Sequence, residues 1–370
     1  MKAICTAIII LVVLNPDVFS QNREKALNEI DRILEEFVNE NLVPALTVAV
    51  SRGPEIIYSK AFGYSDLENN VKATPKTLIR IGSISKPITA VAALKLVENN
   101  KIRLDDPVDK YCKEFPDKKW PITIRHLLGH LSGIRHYLPG EIESAKPYRT
   151  LIDAFSIFGR EALCFEPGTQ FLYTTYGYTV LGAVLEKASE KMFYDIIKET
   201  VLIPSEMTNT FVDAQTPIIN NRARPYSKKG TQIENAKYID SSYKIPGGGI
   251  ISTAEDMVQF QMALYENRLL EDKTTELCWT SLNTSDGRAT DYGLGFSLGL
   301  INGEKVVWHT GGQQGCSSAI IMIPKQKIAV AVLANIDTVP IPEISKKVMF
   351  AILNQGSNAN YPSTNPQQNP

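Results

Sequence analysis

The chain has 370 residues, with 39 Lys and Arg, 40 Asp and Glu, and a formal net charge of -1. This length is enough for one large two-lobed unit or for two modest domains. The balanced charge and the absence of a long basic run argue against nucleic acid or an anionic membrane as a partner.

The first twenty residues have the pattern of a secretory signal peptide. Lys2 precedes an apolar run from Ile8 to Leu14, and small residues lie near Ser20. An uncleaved membrane anchor is the alternative, but the run is well short of the roughly 20 residues that a bilayer span needs. We therefore expect residues 1–20 to be removed and the protein to be secreted, with no membrane attachment afterwards.

A secreted chain raises the question of disulfides and glycans. Four cysteines remain after cleavage, namely Cys112, Cys164, Cys278 and Cys316. They could form any of three full pairings, or they could be free and buried, and the sequence does not choose. Asn283 begins an Asn-Thr-Ser sequon and is the predicted glycosylation site.

Hydrophobic periodicity predicts the elements of the remaining chain. The predicted helices cover 23–43, 85–99, 123–131, 149–157, 174–191, 253–268 and 341–354. The predicted strands cover 46–50, 56–58, 294–300, 305–308, 317–323 and 328–333, with a turn at Arg52-Gly53-Pro54.

Strands at both ends with helices between them indicate one sheet built from both termini and a helical lobe inserted into it. We expect an α/β (α+β) domain over residues 21–354, with an antiparallel sheet flanked by helices and a mainly helical lobe at roughly 75–275. Residues 355–370 are rich in Asn, Pro, Gln and Ser, which predicts a disordered tail.

Ser83-Ile84-Ser85-Lys86 is the first candidate for chemistry. Three residues apart on a helix, Ser83 and Lys86 face the same way, so the amine can accept the serine proton. The helix that follows is apolar nearly all round and should be buried, which favours a lowered pKa for Lys86. A second match, Ser241 to Lys244, runs into Ile-Pro-Gly-Gly-Gly; we expect no helix there and interpret this match as coincidental.

Two further motifs follow in order along the chain. Tyr173-Thr174-Thr175 precedes an apolar helix, and His309-Thr310-Gly311-Gly312 lies between strand signals. The order Ser-x-x-Lys, Tyr-x-Thr, His-Thr-Gly resembles the motif set of serine β-lactamases and penicillin-binding proteins. Within that family it is similar to the branch of class C β-lactamases, D-peptidases and family VIII esterases, and most of all to the animal LACTB-like proteins, in which HTGG replaces KTG.

The resemblance covers about residues 25–354 and implies a β-lactamase/transpeptidase-like fold with roles for matching residues. Ser83 would be the acylated nucleophile, with Lys86 and Tyr173 handling protons; which of these two is the base stays open. The N–H groups of Ser83 and Gly312 would form the oxyanion hole. The residues expected to bind substrate are Thr175, His309, Thr310 and Gly311, with Gly311 and Gly312 allowing close approach of the strand. His309 and Thr310 would bind the polar end of the substrate or support the Tyr173 hydroxyl.

Two departures and one competing motif qualify this comparison. Thr175 stands where many relatives have Asn and cannot offer an amide. The signal peptide differs from the mitochondrial address of the vertebrate LACTB-like form. His126 and His130 have the spacing of a zinc pair but lack the intervening Glu of H-E-x-x-H, so we expect them to pack or to cap a helix.

The predicted function is hydrolysis of a peptide, ester or amide bond through an acyl-serine intermediate. It requires no metal or organic cofactor, and its partner is a small-molecule or peptide acyl substrate. The alternative is a catalytically weak acyl-binding protein or a filament-forming scaffold on the same fold. The physiological substrate and the oligomeric state are left open.

Overall fold

A computed structural model describes residues 16–354 of the chain. The predicted signal segment up to residue 15 and the predicted tail at 355–370 lie outside the described residues. The first helix begins at Pro16, seven residues before the predicted start at Arg23.

Ten α-helices and twelve strands are present in the described residues. The strands are β1 (Ala45–Arg52), β2 (Glu55–Asp66), β3 (Val71–Lys72), β4 (Ile79–Arg80), β5 (Phe211–Val212), β6 (Tyr226–Lys229), β7 (Gln232–Asn235), β8 (Ile250–Ser252), β9 (Ser297–Ile301), β10 (Glu304–Gln313), β11 (Cys316–Ile323) and β12 (Ile328–Ala334). The helices are α1 (Pro16–Asn41), α2 (Ser85–Glu98), α3 (Ile124–Leu128), α4 (Phe155–Phe158), α5 (Thr175–Ser189), α6 (Phe193–Ile197), α7 (Ile245–Gly248), α8 (Ala254–Tyr265), α9 (Asp272–Cys278) and α10 (Ile341–Leu353).

The main sheet has seven strands in the order β3-β2-β1-β12-β11-β10-β9, and all its pairs are antiparallel. Strands from the two ends of the chain meet where β1 pairs with β12. A smaller sheet, β4-β8-β5, lies beside it and leads into the Ser83 segment. The predicted fold class is confirmed: an antiparallel sheet flanked by helices, with a mainly helical region between its two halves.

Strand alternation gives the main sheet two buried faces. Leu46, Val48 and Val50 of β1 join the core beneath α1 and α10, whereas Ala49 joins the larger core shared with α2, α5 and α8. The residues of β12 divide in the same way, with Val330 on one side and Ala331 on the other. The face toward α2 is the one that carries the candidate site.

Two predicted elements are wrong in the helical region. Most of the helix expected over 149–157 is a series of turns, and only Phe155–Phe158 is helical. Reciprocal hydrogen bonds at 3.1 Å between Thr150 and Asp153 hold the turn that precedes it. The segment expected not to be helical, Ile245–Gly248, forms the short helix α7 after a 3₁₀ turn at Ser242–Lys244.

Candidate active site

Ser83 lies in a short 3₁₀ turn, Gly82–Ile84, that runs directly into α2. Its two neighbours in this turn are buried, and Ser83 is partly exposed. Gly82 has a φ of +50°, and a Cβ there would lie 2.9 Å from the backbone nitrogen of Gly312. The turn therefore packs tightly on β10, and this contact brings the Gly312 N–H close to the Ser83 segment.

Buried contacts hold the chain that leads into Ser83. The Arg80 guanidinium donates to Asp213 at 2.7 Å, and the Ser318 hydroxyl on β11 donates to the Ile81 carbonyl at 2.9 Å. Gly311 packs on the same carbonyl, since a Cβ at 311 would lie 2.0 Å from it. Gly311 thus serves the packing of β10 against this segment, whereas Gly312 is open, because a Cβ at that position would meet no atom within 4 Å.

Lys86 is fully buried and its amine reaches three oxygen atoms. Nζ lies 3.0 Å from Ser83 Oγ, 3.1 Å from Thr175 Oγ1 and 2.8 Å from the carbonyl of Gly247. A neutral amine has two N–H donors and one lone pair, so it can donate to Gly247 and Thr175 while it accepts the Ser83 proton. No salt bridge among residues 16–354 includes Lys86, and burial lowers its pKa well below the usual value, helped by the charge of Lys244.

Tyr173 completes the group around Ser83. Its hydroxyl interacts with Ser83, and its ring centroid lies 4.7 Å from the Lys86 nitrogen. Burial raises the pKa of Tyr173, and the Ser83 hydrogen bond opposes this only in part. The tyrosine is therefore protonated at neutral pH, while the lysine is the group whose protonated form is disfavoured.

Thr175 is the first residue of α5, and its hydroxyl faces Lys86. Its N–H donates to His136 Nδ1 at 3.2 Å, and the residue is 2% exposed. The expectation that Thr175 binds substrate stays a prediction. In the structure its hydroxyl is an acceptor for the Lys86 amine.

His309 is buried and held in one neutral tautomer. Nδ1–H donates to the Thr310 carbonyl at 2.7 Å, and Nε2 accepts from the Tyr292 hydroxyl at 3.1 Å. Burial, assisted by the charge of Lys86, lowers the pKa of His309 to about 3. His309 thus contacts Tyr292, and its ring centroid is 6.2 Å from that of Tyr173.

The Thr310 side chain lies on the face of the main sheet that is turned away from Ser83. Thr310 pairs with Ala319, which belongs to the core under α1 and α10, whereas His309 pairs with Ile320 of the α2 side. Side chains of paired residues share a face of the sheet, so the Thr310 side chain points away from Ser83. The side chain expected at the polar end of the substrate is on the opposite face of the sheet.

Sequence reasoning gave no place near Ser83 to four residues: His130, His136 and Tyr292, which pack around Tyr173 and His309, and Lys244, which lies outside the site. His130 Nδ1 accepts from Thr174 N–H at 3.1 Å, and Tyr292 holds His309. Nothing local in the sequence marks the first three, since their contacts join residues 17 to 44 positions apart. Lys244 carried a signal in its Ser-x-x-Lys pattern, but the Pro-Gly-rich sequence after it argued for a coincidental match.

The remaining sequence candidates have structural roles or stand apart from Ser83. His126 forms a capping box with Thr123 at the start of α3, as expected for a capping residue. The four described cysteines are free, and three of them are buried. Across residues 16–354 there is no group of three or more His, Cys, Asp and Glu side chains placed to hold a metal ion.

The antiparallel sheet, the helical region and a buried Ser-x-x-Lys pair at their junction define a protein of the β-lactamase/transpeptidase-like class. A profile of the beta-lactamase family matches residues 30–347, and the chain belongs to that family. Most proteins of the family are serine hydrolases.

Individual relatives agree with this assignment. The chain is 28% identical over 398 aligned residues to the human serine beta-lactamase-like protein LACTB, mitochondrial, covering 82% of this chain and 73% of the relative. It is 27% identical over 312 residues to penicillin-binding protein 4* of Bacillus subtilis, covering 78% and 67%. The octameric penicillin-binding protein homologue from Pyrococcus abyssi superposes with a TM-score of 0.76 at 27% identity, covering 88% and 77%.

Proposed function

We propose that this protein is a secreted serine hydrolase that cleaves peptide, ester or amide bonds through an acyl-Ser83 intermediate. The observation that carries the proposal is the 3.0 Å contact between Ser83 Oγ and a buried Lys86 amine. Within residues 16–354 that amine has no carboxylate in a salt bridge, and its pKa is lowered by burial. A neutral amine at this distance is a competent general base.

The reaction begins when Lys86 takes the Ser83 proton and Oγ attacks the substrate carbonyl. The oxyanion that forms is proposed to be held by the N–H groups of Ser83 and Gly312, which the packing of Gly82 on the backbone of Gly312 supports. The proton passes from Lys86 to the leaving group by way of the Tyr173 hydroxyl as the bond to the carbonyl breaks. Water then attacks the acyl-serine. Its proton follows the reverse route, from Tyr173 to Lys86, and Lys86 returns it to Ser83 Oγ as the acyl group leaves.

The assignment of Lys86 as the base follows from the two pKa directions. Burial lowers the pKa of the lysine and raises the pKa of Tyr173. A base must be unprotonated before reaction, and burial favours the unprotonated form of the lysine but disfavours that of the tyrosine. Tyr173 then acts as a neutral hydroxyl that relays the proton.

Neutral acyl compounds are the proposed substrates. Relatives with a KTG motif hold a lysine at the position of His309, and a permanent cation suits a substrate carboxylate. Here the pKa of His309 is lowered to about 3, so the imidazole is uncharged at pH 7. We propose a preference for esters and internal peptide bonds over penicillins and carboxylate-ended peptides.

Secretion is part of the proposal and rests on residues 1–20 together with the sequon. Asn283 is exposed on the loop between α9 and β9, where a glycan fits. Cleavage after Ser20 would leave most of α1, including Ala26, where its buried apolar face begins. Within residues 16–354 no helix has both the length and the hydropathy of a membrane span. N-terminal sequencing of the secreted product should find Gln21, and an intact Met1 would contradict secretion.

The direct experiment compares Ser83→Ala with Ser241→Ala, the serine of the second Ser-x-x-Lys match. With 4-nitrophenyl butyrate, a neutral ester, Ser83→Ala should lose turnover down to the uncatalysed rate while thermal unfolding stays as in the wild type. Ser241→Ala should keep turnover. Equal activity of the wild type and the folded Ser83→Ala variant would contradict the proposed function.

A scaffold role is the second candidate, favoured by the octameric state of the Pyrococcus relative. An acyl-binding scaffold would react with the ester once and stay acylated, whereas a hydrolase shows a burst followed by steady turnover. Analytical ultracentrifugation of the secreted protein then establishes whether it also assembles.

A further inference from the structure

The second Ser-x-x-Lys segment contacts the same lysine as the first. The carbonyl of Gly247 accepts from Lys86 Nζ at 2.8 Å, and the carbonyl of Pro246 accepts from Thr89 Oγ1 at 2.6 Å. These two bonds hold α7 against α2. Lys244, at the end of the preceding turn, is thereby brought to the edge of the Ser83 site.

Contacts around Gly248 show how near Lys244 comes to that site. A Cβ at Gly248 would lie 3.8 Å from Lys244 Cδ, 3.8 Å from Gln313 Oε1 and 4.0 Å from the carbonyl carbon of Gly82. Gly82 is the residue before Ser83, and Gln313 follows Gly312. Gly248 therefore lies between the Lys244 side chain and the two segments that form the proposed oxyanion hole.

The Lys244 ammonium is buried without a direct partner. The residue is 1% exposed, and within the described residues Nζ has no hydrogen-bond acceptor. Its closest ring contacts are at 5.3 Å from the Tyr243 centroid and 5.8 Å from that of Tyr137. The nearby carboxylate, Asp213, is engaged by Arg80 at 2.7 Å. The charge on Lys244 is thus not neutralised by a contacting anion.

The other titratable groups around Lys86 are uncharged near neutrality. Burial lowers the pKa of each of three histidines, to about 4 for His136, to about 3 for His309, and well below the usual value for His130. Burial raises the pKa of Tyr173 and Tyr178. Lys244 faces Arg80, Asp213 and Cys316, and burial followed by the charge of Arg80 lowers its pKa to about 7. Below pH 7, Lys244 is therefore the charged neighbour of Lys86.

We propose that Lys244 is a positioning residue whose buried positive charge disfavours a second charge on Lys86 and so keeps the Lys86 amine free to take the Ser83 proton. Two ammonium groups that share one buried site without a carboxylate cannot both be charged without cost. When Lys244 carries its proton, that charge opposes protonation of Lys86. This inference rests on the proposed function for its kinetic consequence.

The test is the pH profile of kcat/KM for 4-nitrophenyl butyrate between pH 4.5 and 9. The acidic limb reports protonation of the base in the free enzyme. Lys244→Met removes the charge, so the acidic limb of this variant should move to higher pH by about 1 unit, while its activity at pH 9 stays near that of the wild type. Lys244→Arg keeps the charge, and its acidic limb should stay at the wild-type position. Lys146→Met, at an exposed residue, is the control for the loss of a lysine charge elsewhere, and its acidic limb should also stay at the wild-type position.

A structural role for Lys244 would lower the activity of Lys244→Met by the same factor at every pH. That result would overturn the inference, and so would an acidic limb of Lys244→Met at the wild-type position. NMR of the wild type labelled with ¹³C at lysine Cε provides a readout that needs neither turnover nor folding of a Lys244 variant. The Lys86 signal, assigned with Lys86→Met, should titrate well below the ordinary lysine value and show a smaller inflection near pH 7, where Lys244 titrates. A single titration near the ordinary value of about 10.4 overturns the inference. Loss of Ser83-dependent turnover with the NMR result intact would instead count against the proposed function.

Discussion

The two Ser-x-x-Lys segments of this chain share a pattern and differ in every contact that matters for chemistry. In the first, Lys86 Nζ reaches Ser83 Oγ and two further oxygen atoms within 3.1 Å. In the second, the described residues provide no hydrogen-bond partner for either Ser241 Oγ or Lys244 Nζ. The two segments therefore differ in the oxygen atoms that α5 and α7 supply to Lys86, which have no counterpart at Lys244 within the described residues.

The length of the following helix explains part of this difference. The first segment continues into the 14 residues of α2, which fix the direction of the Lys86 side chain. The second continues for one turn, Ile245–Gly248, before Gly249 leads into β8. The second lysine is left buried but unpaired within the described residues, and its remaining influence on the site is electrostatic.

The largest contrast between the two lysines should appear at alkaline pH. At pH 9, where Lys244 is uncharged, Lys86→Ala should lower kcat by on the order of 10²–10⁴-fold, the range of a lost general base. Lys244→Met should lower it by less than about threefold, since Lys244 Nζ forms no hydrogen bond within the described residues. Steady-state kinetics of the two folded variants measures this, and equal losses would remove the distinction between the segments.

Tyr173→Phe tests whether Tyr173 and Lys86 of the first segment work as one proton-handling group. The single variant should lose about 10²–10³-fold in kcat because the hydroxyl that relays the proton is gone. The double variant with Lys86→Ala should lose less than the product of the two single losses. Fully multiplicative losses would mean that the two side chains act independently.

The glycines that border the two segments should differ in their effect on stability. Gly311→Ala places a Cβ 2.0 Å from the Ile81 carbonyl, beside the first segment, and should lower the free energy of unfolding by about 1–3 kcal/mol. Gly248→Ala, in the second segment, meets no atom closer than 3.8 Å and should change it by less than about 0.5 kcal/mol. Urea unfolding of both variants checks this, and a stable Gly311→Ala would show that β10 can shift away from Ile81.

The smallest expected effect concerns charge at position 309. Because the pKa of His309 is lowered to about 3, the wild-type preference for a neutral ester over a cephalosporin should not change between pH 5 and 8. His309→Lys should move the ratio of kcat/KM toward the cephalosporin by about tenfold, equivalent to about 1.4 kcal/mol. A wild type that prefers the cephalosporin at pH 8 would contradict the proposed substrate class.

Much of the sheet was predictable because its strands carry unbroken apolar runs. The runs at 317–323 and 328–333 correspond to β11 and β12 within one residue at each end. The two-residue strands β3, β4 and β5 were missed, since so few residues carry no alternation. The early start of α1 was missed for another reason: residues 1–20 were assigned to the predicted signal peptide, so the first helix was expected only from residue 23.

The site was predictable where residues lie close in sequence and was not where they come from distant segments. Ser83 and Lys86 are three apart, and the helical spacing places them together. The contact of Lys86 with Gly247 joins residues 161 positions apart, and no local sequence pattern predicts it. The Thr310 side chain lies away from Ser83 because the alternation of β10 puts neighbouring residues of one motif on opposite faces.

Peptide mapping of the covalent adduct tests the central claim most directly. The wild-type protein and Lys86→Ala would each be treated with a neutral fluorophosphonate at pH 7.5, digested, and examined by mass spectrometry over time. We predict a single adduct on the peptide that contains Ser83, formed at least about 100-fold more slowly in Lys86→Ala. An adduct on Ser241, or equal rates of labelling in both proteins, would contradict the claim that Lys86 activates Ser83.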